Sequence, residues 1–485
     1  MAMGKQPIST NVALAALCLL APLALAVEVS VSSSVGAGLV FTDNVDQTAS
    51  DRQGSLITTA NADFGLDVSG VDGNVLLLNY GLSQLFYSHD GNDNALYQTL
   101  QFEADKGIGN GFRVDAIASI ENIAAAIDEN ANADIFSGDT VESRQAEIGL
   151  SYQSNPLSDS NLSARIFGIV INNEDDIGNY DGIGASLSFS NGPNVRDMFW
   201  LIEGTYDYKQ SQGDDPNTSF VILREEIGFQ TMYRWVPFVR LNYENYSGLT
   251  DADSDDMLSW GPAVRYFWTK TTYFELSYNF TETENQSDFW AGAIYLRPSP
   301  RTLLRASYDK RTFGDAYFFL LSHRSRRLTN EITYEEEVTN FDRDTFVSGA
   351  NIAEATLERR LTWLSTLEAR RSTFIFSLYR FEVDALNATN NDGDESGYGA
   401  SIAADHRLSR RFSVSALIDY SDYHFKNLDT PDQDDHYWTF SIDGSYTINP
   451  EVVLTAGVEH NTRSSSLPDD GYDENRIYLE LSVDL

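Results

Sequence analysis

Polar and apolar residues alternate with a period of two along most of this chain. Leu56, Ala60, Ala62, Phe64, Leu66 and Val68 share one parity, while Thr59, Asn61, Asp63, Asp67 and Ser69 share the other. Successive side chains of a strand point to opposite faces, so the segment reads as a strand with one apolar and one wet face. The dyad returns in Phe112, Val114, Ala116, Ala118 and Ile120 against Arg113, Asp115, Ser119 and Glu121, and in Phe274, Leu276, Tyr278 and Phe280. Near the end, Phe412, Val414, Ala416, Ile418 and Tyr420 alternate with Ser413, Ser415, Asp419 and Ser421, followed by Trp438, Phe440, Ile442, Gly444 and Tyr446. Each run covers about ten to fourteen residues, enough for a tilted strand to cross a bilayer. Beyond the N-terminal region no stretch approaches the ~20 consecutive apolar residues of a helical span.

The connections between these runs are of two kinds. Short turns at Gly70 to Asn74, Gly107 to Gly111 and Asn449-Pro450 alternate with longer acidic loops at Ala125 to Val141, Asp251 to Asp256, Asn390 to Glu395, Leu428 to Asp435 and Ser464 to Glu474. This asymmetry predicts an all-β fold, a transmembrane antiparallel up-and-down β-barrel of about 24 strands, within a range of about 18 to 26. Pro262 and the stretch Val338 to Glu354 blur the pattern in the middle. At the C-terminus Ile477, Leu479, Leu481, Val483 and Leu485 alternate with Arg476, Tyr478, Glu480, Ser482 and Asp484, a strand suited to closing the barrel and removing its edge. Trp200, Tyr206 and Tyr208, Trp260, Tyr266 and Trp268, and Tyr243 and Tyr246 are expected in aromatic girdles at the two interfaces.

Composition sharpens the picture. Residues 1–26 carry Lys5, an apolar run from Val12 to Leu25 and the small-residue close Ala24-Leu25-Ala26, which reads as a cleaved secretory signal peptide. That leaves 27–485 as the outer-membrane barrel. The single cysteine, Cys18, lies inside the signal, so no disulfide or zinc–cysteine site is expected in the remainder. With 72 acidic against 33 basic residues the formal charge is −39, which excludes nucleic acid as a partner. A hydrophobic content of 42% with 12% aromatics is far too rich for a disordered acidic chain. The expected surroundings are outer-membrane lipid and lipopolysaccharide, with the barrel-assembly machinery as a folding partner.

Thr42-Asp43-Asn44, Asn79-Tyr80 and Leu85-Phe86-Tyr87, then Tyr308-Asp309-Lys310-Arg311-Thr312-Phe313-Gly314-Asp315-Ala316-Tyr317 leading into Leu321-Ser322-His323-Arg324-Ser325-Arg326-Arg327, resemble the outer-membrane barrels of PEP-CTERM and exosortase systems. The resemblance implies a porin-type barrel in cells that make exopolysaccharide, with no molecular activity attached. Those barrels usually end on an aromatic residue, whereas this chain ends on Leu485.

About half of the basic residues fall between Arg297 and Arg411. By parity Arg297, Arg305, Arg311, Arg324 and Arg407 project inward, a candidate basic ladder that would guide anionic solutes such as an acidic polysaccharide. The bland alternative pairs them with Glu244, Glu275 or Asp309 across strands. Asp251, Asp253 and Asp255 form a candidate weak cation-binding loop, although the glycine and distal glutamate of a calcium loop are absent. Solvated surface is the competing reading. No cofactor is implied. Ser322 and His323 are adjacent and therefore point to opposite faces of a strand, so they do not form a nucleophile–base pair, and no enzyme is expected. Two functions remain in view: a channel passing, or helping to export, small polar or anionic carbohydrate in connection with exopolysaccharide or PEP-CTERM systems, or a non-conducting barrel that displays acidic loops.

Overall fold

The computed structural model describes residues 28–485 except 71–72, 90, 133, 196, 214–215, 231–233, 249–254, 284–285, 344–346, 349–351, 387–393 and 427–430. The expected signal peptide lies outside the described residues. In chain order the strands are β1 Glu28–Thr42, β2 Ser55–Ser69, β3 Val75–Tyr87, β4 Ala95–Gly109, β5 Phe112–Ala124, β6 Thr140–Gln153, β7 Ser160–Asn173 and β8 Tyr180–Asn191. Next come β9 Met198–Ser211, β10 Thr218–Phe229, β11 Trp235–Ser247, β12 Asp255–Thr269, β13 Thr272–Thr281, β14 Phe289–Ser299, β15 Thr302–Arg311 and β16 Gly314–Arg324. The last third comprises β17 Leu328–Thr339, β18 Thr356–Glu368, β19 Ser372–Ala385, β20 Glu395–Arg407, β21 Phe412–Phe425, β22 Gln433–Asn449, β23 Val452–Ser465 and β24 Tyr472–Asp484.

Every strand pairs antiparallel with its neighbours in sequence, and β24 returns to β1 from Arg476 opposite Thr42 to Asp484 opposite Ser34. The result is a closed 24-stranded up-and-down barrel, as the alternation predicted. Closure leaves the sheet with no free edge strand, which is what a sheet immersed in lipid requires.

One end of the barrel has tight connections such as 110–111, 270–271, 300–301 and 450–451, and we call it the turn end. The other, the loop end, carries 43–54, 125–139 and 340–355. The outward face is apolar: Val31, Phe64, Ile166, Ile183, Val239, Leu276, Ile402, Ile442 and Ile477 are all exposed. Two aromatic belts bound it. Trp268 and the Trp235–Tyr266 pair, with rings 4.5 Å apart, lie towards the turn end. Trp260 against Phe280, and Trp290 against Tyr278, lie towards the loop end. Trp260 and Trp268 sit on one strand, separated by ~26 Å along it, or ~20 Å along the membrane normal at a tilt of about 40°. That spacing suits the apolar band of an outer-membrane barrel. Tyr246 departs from the expected girdle: its parity is inward, it is buried, and its hydroxyl accepts from Arg311 Nη2 at 2.7 Å.

The blurred stretch after Val338 has a structural cause. The ladder between β16 and β17 stops at Phe319 opposite Tyr334, although both strands continue. Beyond it the Glu336 carboxylate accepts from the Tyr317 backbone N–H at 2.9 Å, where a strand carbonyl would otherwise stand. Val338 and Leu357 share the outward parity of Ile332 and Trp363, yet they are buried with Ala355 against Tyr246 of β11. The loop-end part of the β17–β18 hairpin therefore leans into the barrel, and alternation ceases to report lipid and lumen there.

Candidate functional site: the lumen and its mouth

The inward face of β9 to β13 is filled near the turn end. Phe199, Val236, Phe238 and Ala263 are buried together beneath a cluster of charges. Glu226 on β10 is fully buried and accepts from Arg240 Nη2 at 2.7 Å, from Arg265 Nη2 at 3.1 Å and from Arg224 Nη2 at 2.5 Å. Glu275 on β13 takes a second contact from Arg240 and one from Arg265 at 2.8 Å. Arg265 lies over the rings of Phe199, Phe238 and Tyr273 at 5.1 to 5.5 Å. Arg240 and Arg265 each meet both carboxylates across strands, while Arg224 holds Glu226 on its own strand, so the cluster rivets β10, β11, β12 and β13 into one wall.

The five arginines singled out by parity are dispersed. Arg311, at the loop end of β15, donates Nε to Glu244 on β11 at 2.8 Å. Arg305 lies over the ring of Tyr295 at 5.2 Å. Arg297, Arg324 and Arg407 are exposed towards the turn end, the last on β20, far round the barrel from the others. Glu275, named as a candidate partner, engages Arg240 and Arg265 instead. Arg240 shares its parity with Val236 and Phe238 as well as Glu244, so alternation alone does not mark that face of β11 as polar. Asp251 and Asp253 lie outside the described residues, while Asp255 opens β12 opposite Tyr246. Ser322 stands opposite Glu331, and His323 opposite Asn330 on the other face of β16, with its Nδ1 2.9 Å from Thr302 Oγ1.

The mouth was not legible as such. The connection 125–139, expected as an outer acidic loop, folds inward as a single helical turn, Ile127–Asn130, followed by a tight turn. Its Ile135 and Phe136 pack on Val40, Val45, Ile57 and Leu85 of the inner wall. Tyr87 donates its hydroxyl to the carbonyls of both, each at 3.2 Å. Arg476 on β24 ion-pairs with Asp134 and lies over Phe136. Gln433 donates to the Asp128 carbonyl at 2.6 Å and Arg463 Nη2 to the same oxygen at 3.0 Å.

From the opposite side come residues 340–343, 347–348 and 352–355. Asn340 accepts from Lys209 Nζ at 2.9 Å and donates to Thr218, Phe341 packs its ring on Tyr180, and Arg343 bridges to Asp175 at 2.9 Å. Phe341 holds a left-handed φ of 55°, a conformation a bulky residue keeps only when its surroundings enforce it. The two loops touch in mid-mouth. Arg343 Nη2 donates to the Ala125 carbonyl at 2.5 Å, the Ser348 N–H donates to Asp128 Oδ1 at 2.8 Å, and Ile127 and Val347 bury against Phe425. Burial pushes the Asp128 carboxyl above the usual carboxylate range, against the opposing pull of the Ser348 N–H and Arg463.

Below the first loop a polar cavity of about 1040 Å³ runs along β1 to β5, from Asp484 and Leu485 at the turn end to Ile135. Its polar lining includes Ser32, Ser34, Asp63, Asn79, Gln101, Glu121 and Asn122, with carboxylates and no basic side chain. A second cavity of about 810 Å³ lies between β9, β10, β15 and the inclined β17, where Asp207, Asp309, Glu335 and Glu337 outnumber Lys209 and Arg311. Among the described residues no group of three or more His, Cys, Asp or Glu is placed to hold a metal ion.

A closed barrel with a lipid-facing apolar band, a polar lumen and inward loops has the architecture of an outer-membrane porin or transporter. Residues 380–485 match the model of a family described as "Putative beta-barrel porin 2", which covers the last strands of the barrel. No curated protein matches the chain. Among solved structures it is similar to the FrpB iron transporter of Neisseria meningitidis in apoprotein form, at 10% identity over 94% of this chain and 81% of that one, with a TM-score of 0.49. Others are the siderophore receptor PirA of Pseudomonas aeruginosa, at 9% identity over 94% and 80%, TM-score 0.42, and OccK5 (OpdH) of the same species, at 9% over 94% and 98%, TM-score 0.37.

Proposed function

We propose that this protein is an outer-membrane channel for small polar solutes, with its loop end outward and its opening set by the two loops that fold into the mouth. The observation that carries this reading is the polar cavity along β1 to β5, which reaches from the turn end up to Ile135 of the inward loop. A barrel kept solely to display loops has no need of a wetted inner wall with a constriction above it. The cavity's carboxylates, Asp63, Glu121 and Asp484, favour cations and neutral solutes over anions, because fixed charge at close quarters sets selectivity in a narrow pore. The resemblance in Tyr308 to Tyr317 and Leu321 to Arg327 supports placing the channel in cells that make exopolysaccharide, with carbohydrate fragments among its solutes. The test is planar-bilayer recording on refolded, heat-modifiable protein. Steady unitary currents with cation preference are expected. A folded barrel that gives no steady current would overturn the channel in favour of a display role.

A further inference from the structure

Glu395 opens β20 at the loop end on the inward parity, opposite Val383 and Phe425. It is 3% exposed, and neither carboxylate oxygen has a hydrogen-bond partner among the described residues. The side chain faces a third cavity, of about 420 Å³, which lies beneath the meeting point of the two inward loops. Tyr379, Phe381 and Tyr423 supply aromatic walls, and Ile127 comes from the first loop. Two guanidiniums also reach this chamber, and both are engaged elsewhere. Arg360 Nε is 2.5 Å from Glu358 and its guanidinium lies over the Phe381 ring, while Arg343 holds Asp175 and the Ala125 carbonyl. Each guanidinium thus has a carboxylate of its own, Glu358 for Arg360 and Asp175 for Arg343, and Glu395 is the charged group of the lining left without one.

A buried carboxylate without donors is strongly unfavourable, and native structures nearly always supply a partner. No described residue supplies that partner, so the group is completed by a proton or by a cationic group from outside the chain. We propose that this chamber binds a small protonated amine, whose ammonium donates to the two oxygens of Glu395 while its carbon frame lies against Tyr379, Phe381 and Tyr423. A calcium or magnesium ion would want six or more oxygen ligands, which one carboxylate among aromatic rings does not provide. An ammonium group is satisfied by a carboxylate and gains from adjacent ring faces. An anion would meet the unpartnered Glu395 carboxylate. The volume accepts a molecule the size of an amino sugar, whose apolar ring face suits the aromatic walls. This goes beyond the channel reading, since binding at Glu395 does not require that the barrel conduct.

Titration calorimetry on the full-length barrel in detergent tests the site with glucosamine, 1,4-diaminobutane and uncharged N-acetylglucosamine. Saturable binding of at least one of the two amines is expected, with the acetylated sugar at least roughly thirtyfold weaker than glucosamine if the sugar is the amine that binds. Glu395→Gln should weaken amine binding by a similar factor, as loss of one partner of a buried charge pair does. The variant removes an uncompensated buried charge, so its unfolding midpoint should equal or exceed that of the wild type. No heat from either amine, equal binding of both sugars, or amine binding undiminished in Glu395→Gln would each overturn the proposal, whatever the bilayer recordings show.

Discussion

The arginine–glutamate cluster on β10 to β13 illustrates how much depends on single inward side chains. Glu226 accepts from three guanidiniums and is fully buried. Glu226→Gln leaves Arg240 and Arg265 to share Glu275, and uncompensated buried charge of this kind costs about 3 to 5 kcal/mol. Urea unfolding of the variant in detergent should show a loss of that order. Asp128 gives a prediction of the opposite character. Its carboxyl is raised by burial in the docked loop, so docking favours the protonated form. The contribution is complete below the ordinary carboxylate range and is lost as pH rises through the elevated value. Conductance should therefore fall as pH is lowered into that range, and Asp128→Asn should flatten the dependence in single-channel recordings. Neither residue stood out in the sequence, because parity gives the face of a strand but not the partner across the lumen. Arg311 and Glu244 meet although three strands separate them in the sheet, a closeness set by the barrel's cross-section and absent from any local pattern.

At the scale of elements the sequence was most legible where a strand keeps one face in lipid throughout. β2, β5, β21, β22 and β24 follow the parities of Leu56, Phe112, Phe412, Trp438 and Ile477, because a one-residue slip would bring every polar side chain into hydrocarbon. Turns were legible where their backbone demands a particular residue. Asn110-Gly111 joins β4 to β5 with φ of 55° and 84°, the left-handed pair of a two-residue hairpin. A Cβ on Gly111 would lie 2.2 Å from the Gln153 carbonyl oxygen. Gly111→Val should destabilise the barrel by at least ~2 kcal/mol, from the disfavoured dihedral and the clash together, visible as a lower temperature of heat modification. Legibility ended at β17 and β18. There the hairpin leaves β16, and Val338 and Leu357 turn an outward parity into buried contacts at the mouth. The loop 125–139 was read as solvated from its acidic residues, whereas Ile127, Ile135 and Phe136 decide its place by burying against the wall.

For the molecule as a whole, closure, strand number and the two-sided wall follow from a repeated dyad, while the state of the lumen depends on two loops whose sequence carries no period. If the barrel conducts as proposed, the acidic lining of the cavity along β1 to β5 sets a permeability preference. Reversal potentials across a salt gradient should report cations, and Asp63→Asn with Glu121→Gln should move them towards zero without altering the fold, since both side chains face the wetted interior. The central claim is that the inward loops, and not the barrel wall, set the opening. Its most direct measurement is the unitary conductance of a barrel in which residues 126–138 are replaced by a short Asn-Gly turn, compared with the intact protein. A severalfold increase in conductance, with loss of the acid-induced decrease, is the expected result. An unchanged conductance in a folded variant would contradict it, because the restriction would then lie in the wall and not in the loops.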